Sequence, residues 1–348
     1  MAVKLPPELE RLVREAVDRD ASDLFLIPGE PPAIRLRGCL ERTEAEPLTA
    51  DAIEQMATAA IGKENMARIG PESGKFQRWC GSPGEYGASI CVARTHGEYS
   101  IVMRVIKMLS IPTVAEVYLP EAMIKAGESP SGLIVFAGRV GSGKTTGLYS
   151  LVDHINANSA CHICTVEDSF HLFISPKKAL VQQREVGVDV PSFLAGIEAA
   201  MNQDLDVLLV GEITNVEELQ ASITVAETGH LVLTQLHPPA SPEAAIQRMI
   251  DVFPEDMRNV SLRALAGVLR AVSAQILLPR ADGAGRVAAY GVLIPDEEMR
   301  QAIAEGRDFM SRKSPMPEGC QTIAEDVERL RNEGTITPET AEKALVGP

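Results

Sequence analysis

Residues 138–145 read GRVGSGKT and satisfy the spacing GxxxxGK[ST] in full. Such a loop binds phosphate for a physical reason. Glycines at Gly138, Gly141 and Gly143 let the backbone curl until successive N–H groups point inward at one anion. A helix opening near Lys144 adds the positive end of its dipole. Lys144 is placed to pair with the β and γ oxygens of a nucleoside triphosphate, and Thr145 to hold magnesium. Arg139, Val140 and Ser142 complete the loop, and Thr146 follows it into the helix. The motif needs a strand before it and a helix after it. The apolar run GLIVFAG at 132–138 supplies the first, and TTGLYSL the second.

Phosphate chemistry also needs carboxylates. The stretch DVLLVGEITN, 206–215, reads as an apolar strand ending in Gly211 and a single acid, Glu212. Strands of this kind often end in two acids, and Gly211 stands where the first is expected. A second acidic strand end, Glu167 with Asp168, closes CHICTVED at 161–168. Ligands of an open α/β sheet gather at the carboxyl ends of its strands, so both ends can face the phosphates. One carboxylate then orients magnesium through water, and another polarises the attacking water. Thr145, Glu167, Asp168 and Glu212 form the expected metal set, with the roles of the three acids left open. His230 and His237 bracket the next strand, HLVLTQLH, and His237 falls at its carboxyl end, the place for a γ-phosphate sensor.

These groups need a scaffold. Strands alternate with helical segments from about residue 118, the pattern of a parallel α/β sheet. Its strands are GLIVFAG, CHICTVED, DVLLVGE and HLVLTQL. The first third is different, a small mixed α+β domain. PELERLVREAVDRD places Leu9, Leu12, Val13, Ala16 and Val17 on one helical face. SDLFLIPGEPPAIRLRG reads as a hairpin, and YGASICVARTHGEYSIVMRVI as two antiparallel strands joined near His96 and Gly97. Thr49 is a helix cap, as is Thr337 before Pro338. A boundary falls near 107–117, and from about 295 the chain reads as helices.

The 348 residues carry 33 basic and 48 acidic side chains, a net charge of −15. That balance disfavours a nucleic-acid binder, whose affinity rests on basic surface. The apolar runs are too short to span a bilayer, and the start carries no apolar signal-peptide core. Cys161 and Cys164 form one CxxC without a second, in what reads as a buried strand, so they are expected to be structural.

The stretches ASDLFL, GSGKTTGLYSL, QREVGVDVPSF, DVLLVGE, AETGHLVLTQLH and RMIDVFPEDMR together resemble the secretion ATPases of type IV pili and type II secretion. The resemblance runs over nearly the whole chain. Within that family the chain is most similar to the pilus retraction (twitching motility, PilT-type) ATPases. Its leading part is short, the four-cysteine zinc insertion of assembly ATPases is absent, and its tail is similar to the retraction-type C-terminal helices.

The resemblance implies an α/β fold in which a PAS-like N-terminal domain (1–107) and a linker (108–117) precede a RecA-like ATPase core (118–294) and C-terminal helices (295–348). It implies ATP and Mg2+ as cofactors, a homohexamer, and ATP bound between the two domains of one subunit, with arginines from neighbours. It places the motor in the cytoplasm, peripheral at the inner membrane, against a pilus platform protein, with paralogous pilus ATPases as further partners. Gly138 to Thr145 match the Walker A loop, Glu167 and Asp168 the acidic box, and Glu212 the Walker B glutamate, which in this family follows Gly. His230 and His237 match the family's two histidines. Arg104 matches an arginine-finger position, with Arg94 a second candidate.

The chain also departs from the family. The acidic box EDPIE reads EDSFH, with Ser169 and His171. Thr214 and Asn215 replace an Arg-Asp pair, Glu198 replaces an Arg, and the usual TLHT reads TQLHPP. The function expected is a hexameric ATP-hydrolysing motor for pilus retraction, with Glu212, helped by Glu167, orienting the water. The alternatives are an accessory paralogue that binds ATP with slow or no hydrolysis, and a type II secretion or pilus assembly ATPase.

Overall fold

The computed structural model describes residues 5–36, 38–70, 74–82, 86–106, 110–170, 172–237 and 241–346. The chain divides into two compact units, Met1–Ser110 with Ser169–Phe173, and Ile111–Asp168 with Ile174–Pro348.

The first unit runs α1 (Pro7–Asp18), β1 (Ala21–Leu26), β2 (Ala33–Leu36), β3 (Cys39–Arg42), α2 (Ala50–Ile61), α3 (Lys63–Arg68), β4 (Lys75–Ser82), β5 (Tyr86–Thr95) and β6 (Glu98–Ile106). Its strands form one antiparallel sheet in the order β3-β2-β1-β6-β5-β4. Helix α1 buries Leu9, Leu12, Val13 and Ala16, the spacing of a single helical face. Thr49 caps α2 by accepting from the N–H of Ala52 at 3.2 Å. Strands β5 and β6 turn at His96 and Gly97, both with positive φ (52° and 87°), which matches the twist of a tight hairpin.

The second unit runs α4 (Glu121–Gly127), β7 (Gly132–Ala137), α5 (Lys144–Asn158), β8 (His162–Glu167), β9 (Leu180–Glu185), α6 (Phe193–Met201), β10 (Val207–Glu212), α7 (Val216–Glu227) and β11 (Leu231–Leu236). It continues α8 (Pro242–Asp251), α9 (Arg258–Val268), β12 (Leu269–Pro279), β13 (Arg286–Leu293), α10 (Glu297–Ala304), α11 (Ile323–Asn332) and α12 (Pro338–Val346). The sheet order is β13-β12-β7-β11-β10-β8-β9, parallel throughout except for the antiparallel β12–β13 pair. Strands β7 and β11 are buried along their whole length, as strands covered on both faces must be. Leu133, Val135, Leu208, Val210 and Val232 pack with Ile223, Leu265 and Ile303 in one core. Phe136 points the other way, against α5 at Gly147.

Several expectations are refined. The break between units falls after Ser110, and Ser169–Phe173 belongs with the first unit. Cys161 lies just before β8 rather than in it, half-buried, while Cys164 is buried within the strand. Residues 269–293 form a hairpin that the alternating pattern does not announce. Among the described residues no helix is long and apolar enough to cross a membrane.

The C-terminal helices are part of the second unit's core. Val327, Leu330, Ile336 and Ala341 pack with Leu278, Val287 and Ala289 of the β12–β13 hairpin. Leu330→Ala, at a fully buried position, is therefore expected to cost about 3 kcal/mol. Urea unfolding followed by hydrogen exchange checks this: β12 and β13 should lose protection together with α11. Loss confined to residues after 295 would show an independent tail.

Candidate nucleotide site

Strand β7 delivers the chain to a loop that only glycine can build. Gly138 has φ 144°, and a Cβ there would come 2.6 Å from Ser142 Oγ and 3.0 Å from the Gln275 carbonyl. Gly143, with φ 89°, forms the cap of α5, and a Cβ there would meet the Gln275 amide at 3.0 Å. Gln275 is the loop's brace: buried on β12, it donates from Nε2 to the carbonyl of Ser142 at 3.0 Å.

Lys144 is only 8% exposed. Its ammonium donates to the carbonyls of Gly138 at 2.7 Å and Arg139 at 3.0 Å. Burial lowers its pKa below that of an ordinary lysine, and the charge of Glu212 works against that shift. A half-desolvated cation resting on neutral carbonyls is a strong partner for phosphate oxygens. Thr145 Oγ1 donates to Gln235 Oε1 at 2.9 Å. His237 Nδ1 lies 3.0 Å from the Gly138 carbonyl. A carbonyl can only accept, so Nδ1 is the donor of this bond.

The acids come from two strands. Val210 of β10 lies beside Val166 of β8 and Thr234 of β11. The register then shifts, so that Glu212 pairs with Gln235 and Gly211 is the extra residue of a bulge. A Cβ at Gly211 would sit 3.4 Å from Glu167 Cα and 3.6 Å from the Phe193 ring and the Val166 carbonyl oxygen. These are ordinary van der Waals contacts, and nothing in the packing explains the missing acid at this position. Beyond Glu212, the side chain of Asn215 caps α7 by accepting from the Glu218 N–H at 2.9 Å. The Glu218 carboxylate accepts from the backbone N–H (2.8 Å) and hydroxyl (3.0 Å) of Thr214. Thr214 and Asn215 thus form a helix start of ordinary chemistry.

Glu167 sits differently from its neighbours. It is 1% exposed, and the Tyr149 hydroxyl donates to its Oε2 at 2.5 Å. Burial pushes its pKa up to about 7, against the hydrogen bonds of Tyr149, Thr165 and Gln183 and with the nearby charge of Asp168. Asp168 and Glu212 are exposed at their strand ends. The hydroxyl of Thr145 and these two carboxylates are hard oxygen donors, the kind that suits Mg2+; the buried Glu167 is engaged by Tyr149. Among the described residues no three His, Cys, Asp or Glu side chains converge as a metal cage.

The other expected residues have surroundings of their own. His230 precedes β11 at the opposite end of the strand, where Nδ1 lies 3.1 Å from both the Val225 carbonyl and Thr228 Oγ1. Arg104 belongs to the first unit, exposed on β6 and 3.4 Å from Asp23. Arg94, on β5, donates to the Tyr99 hydroxyl at 2.7 Å and lies over its ring. Glu198 is exposed on α6, and His171, Pro238 and Pro239 lie outside the described residues. Arg139 and Val140 edge a cleft of about 930 Å³ between the loop, β12 and α12, lined also by Ile276, Leu278, Arg286 and Lys343. Its size and apolar floor suit a nucleobase and ribose. Sequence reasoning passed over Tyr149, Gln235 and Gln275. The signal for the two glutamines is a buried amide in an otherwise apolar strand, which demands a partner.

Residues 3–341 match the family described as type II/IV secretion system protein. The chain is 30% identical over 339 residues to the type IV pilus ATPase PilU of Pseudomonas aeruginosa, covering 96% of this chain and 87% of that protein. It is 30% identical over 346 residues to the type IV pilus retraction ATPase PilT of the same organism, covering 97% and 98%. A crystal structure of the pilus retraction motor PilT with bound ADP aligns with a TM-score of 0.84 at 30% identity, covering 97% of each chain.

The buried carboxyl predicts a pH signature. Its pKa in the fold, about 7, stands above the unfolded value of 4.5. The folded chain therefore binds more protons between the two, and stability falls as pH rises through that window. Glu167→Gln keeps an acceptor for Tyr149 and cannot ionise. In metal-free buffer its unfolding free energy, from urea titration, should gain on that of the unaltered protein from pH 5 to pH 8, by up to about 3 kcal/mol. A gap independent of pH would show that Glu167 is not held as described.

Proposed function

The chain belongs to the type II/IV secretion system protein family, and from that premise we propose that it is an ATP-hydrolysing motor of the type IV pilus system, working in retraction. The observation that carries this reading is the gathering of Lys144, Thr145, Glu212 and His237 at one edge of the parallel sheet, with Gly138 and Thr145 bonded to β11 and its end. The retraction assignment rests on the likeness to the PilT retraction motor along nearly the whole chain.

In this reading the phosphates of ATP bind the inward N–H groups of residues 138–145 at the start of α5. Lys144 exchanges its two carbonyl partners for β and γ oxygens. Thr145, Asp168 and Glu212 would hold Mg2+, which would supply charge neutralisation at the phosphate oxygens. Glu212, free at its strand end, orients the attacking water and takes its proton. His237, held through Nδ1 by the Gly138 carbonyl, stands at the strand end where the γ-phosphate binds. Glu167 acts at one remove, through the Tyr149 bond that fixes the end of β8. Arg104 serves as an arginine finger toward a neighbouring subunit of a homohexamer. The ring works at the cytoplasmic face of the inner membrane against a pilus platform protein, alongside paralogous pilus ATPases.

Phosphate release by the purified protein tests the proposal. Glu212→Gln should lower the turnover rate by roughly 100-fold or more, with nucleotide affinity in EDTA, where no metal is bound, changed by less than about threefold. Equal rates for the two proteins would exclude Glu212 as the group that activates water.

A further inference from the structure

A hydroxyl that gives a lone pair to a divalent cation must place its own proton elsewhere. In P-loop proteins the strand facing the loop commonly supplies an acid close to that hydroxyl. Here the first acidic position is Gly211, packed against Glu167 and Phe193 with no side chain to offer. The acceptor comes from the next strand. Thr145 Oγ1 donates to Gln235 Oε1 at 2.9 Å. Gln235 is 6% exposed, stands opposite Glu212 across the bulge, and accepts from the N–H of Ile213 through its backbone carbonyl at 3.0 Å. One residue thus holds both the loop threonine and the end of the strand that presents the acid.

We infer that Gln235 is a positioning residue for the magnesium site, standing in for the absent first acid; the inference rests on the ATPase reading above. Its amide oxygen accepts the hydrogen bond of the Thr145 hydroxyl, so the lone pairs of Oγ1 are directed to the cation. A neutral amide supplies this direction without charge. Gln235→Leu removes the acceptor at similar volume, and Gln235→Glu restores a negative charge beside the cation.

The test is binding of a fluorescent N-methylanthraniloyl ADP, measured in EDTA and across a magnesium titration. Gln235→Leu should raise the magnesium midpoint roughly 10-fold or more, the usual effect of losing a partner that orients a metal ligand, and leave affinity in EDTA unchanged. Gln235→Glu should lower the midpoint. In a Thr145→Val background, Gln235→Leu should cause no further shift. An unchanged midpoint in a folded Gln235→Leu protein overturns the inference, as does an equal loss of affinity in EDTA. Should Gln235→Leu fail to fold, an unchanged or raised midpoint in Gln235→Glu overturns it. If the unaltered protein binds no ADP in either buffer, the ATPase reading falls and the inference with it; magnesium-dependent binding indifferent to residue 235 overturns the inference alone.

Discussion

The parallel register of β7, β11, β10 and β8 is the constraint on which the rest of the second unit depends. Because these strands run the same way, their carboxyl ends share one edge. Everything polar that the site needs is attached to that edge: the loop after Ala137, Glu167 and Asp168 after Val166, Glu212 after the bulge, Gln235 on β11 and His237 just past it. The apolar run within each strand holds the edge in place, since a slip of one residue would turn buried side chains to the wrong face. The cost of a buried ammonium is met locally. Lys144 rests on two carbonyls of its own loop, and Gln275 braces that loop from β12.

What was legible in the sequence had local causes. The phosphate loop, the caps at Thr49 and Thr337 and the turn at His96 and Gly97 each follow from backbone chemistry within a few residues. The four central strands follow from unbroken apolar runs bounded by glycine or charge. The β12–β13 hairpin was not legible. The stretch VLRAVSAQILL is apolar at both helical and strand periods, and its pairing with β7 is decided by tertiary contacts. The setting of Glu167 was equally hidden, because it depends on Tyr149 reaching across from α5. His230 and His237 carry the same side chain at the two ends of one strand, and only the direction of that strand separates them.

The departures from the family pattern take on different weights. Gly211 is a bulge residue in ordinary contact with its neighbours. Asn215 caps α7 as an aspartate could, with Thr214 bonded to the same turn. These substitutions leave the phosphate edge intact. Glu198 stays exposed on α6, and nothing in the structure explains its charge. The glutamine in TQLH is the departure that reaches the chemistry directly, through Thr145.

The claim beneath all of this is that the edge around Lys144 is built to hold a triphosphate. Calorimetric titration of ATP with magnesium into the unaltered protein and Lys144→Ala tests it most directly. The account predicts one site per chain in the unaltered protein, weakened roughly 10- to 100-fold by the substitution, as expected for losing a charge-assisted partner. Equal affinity in the two proteins would contradict it.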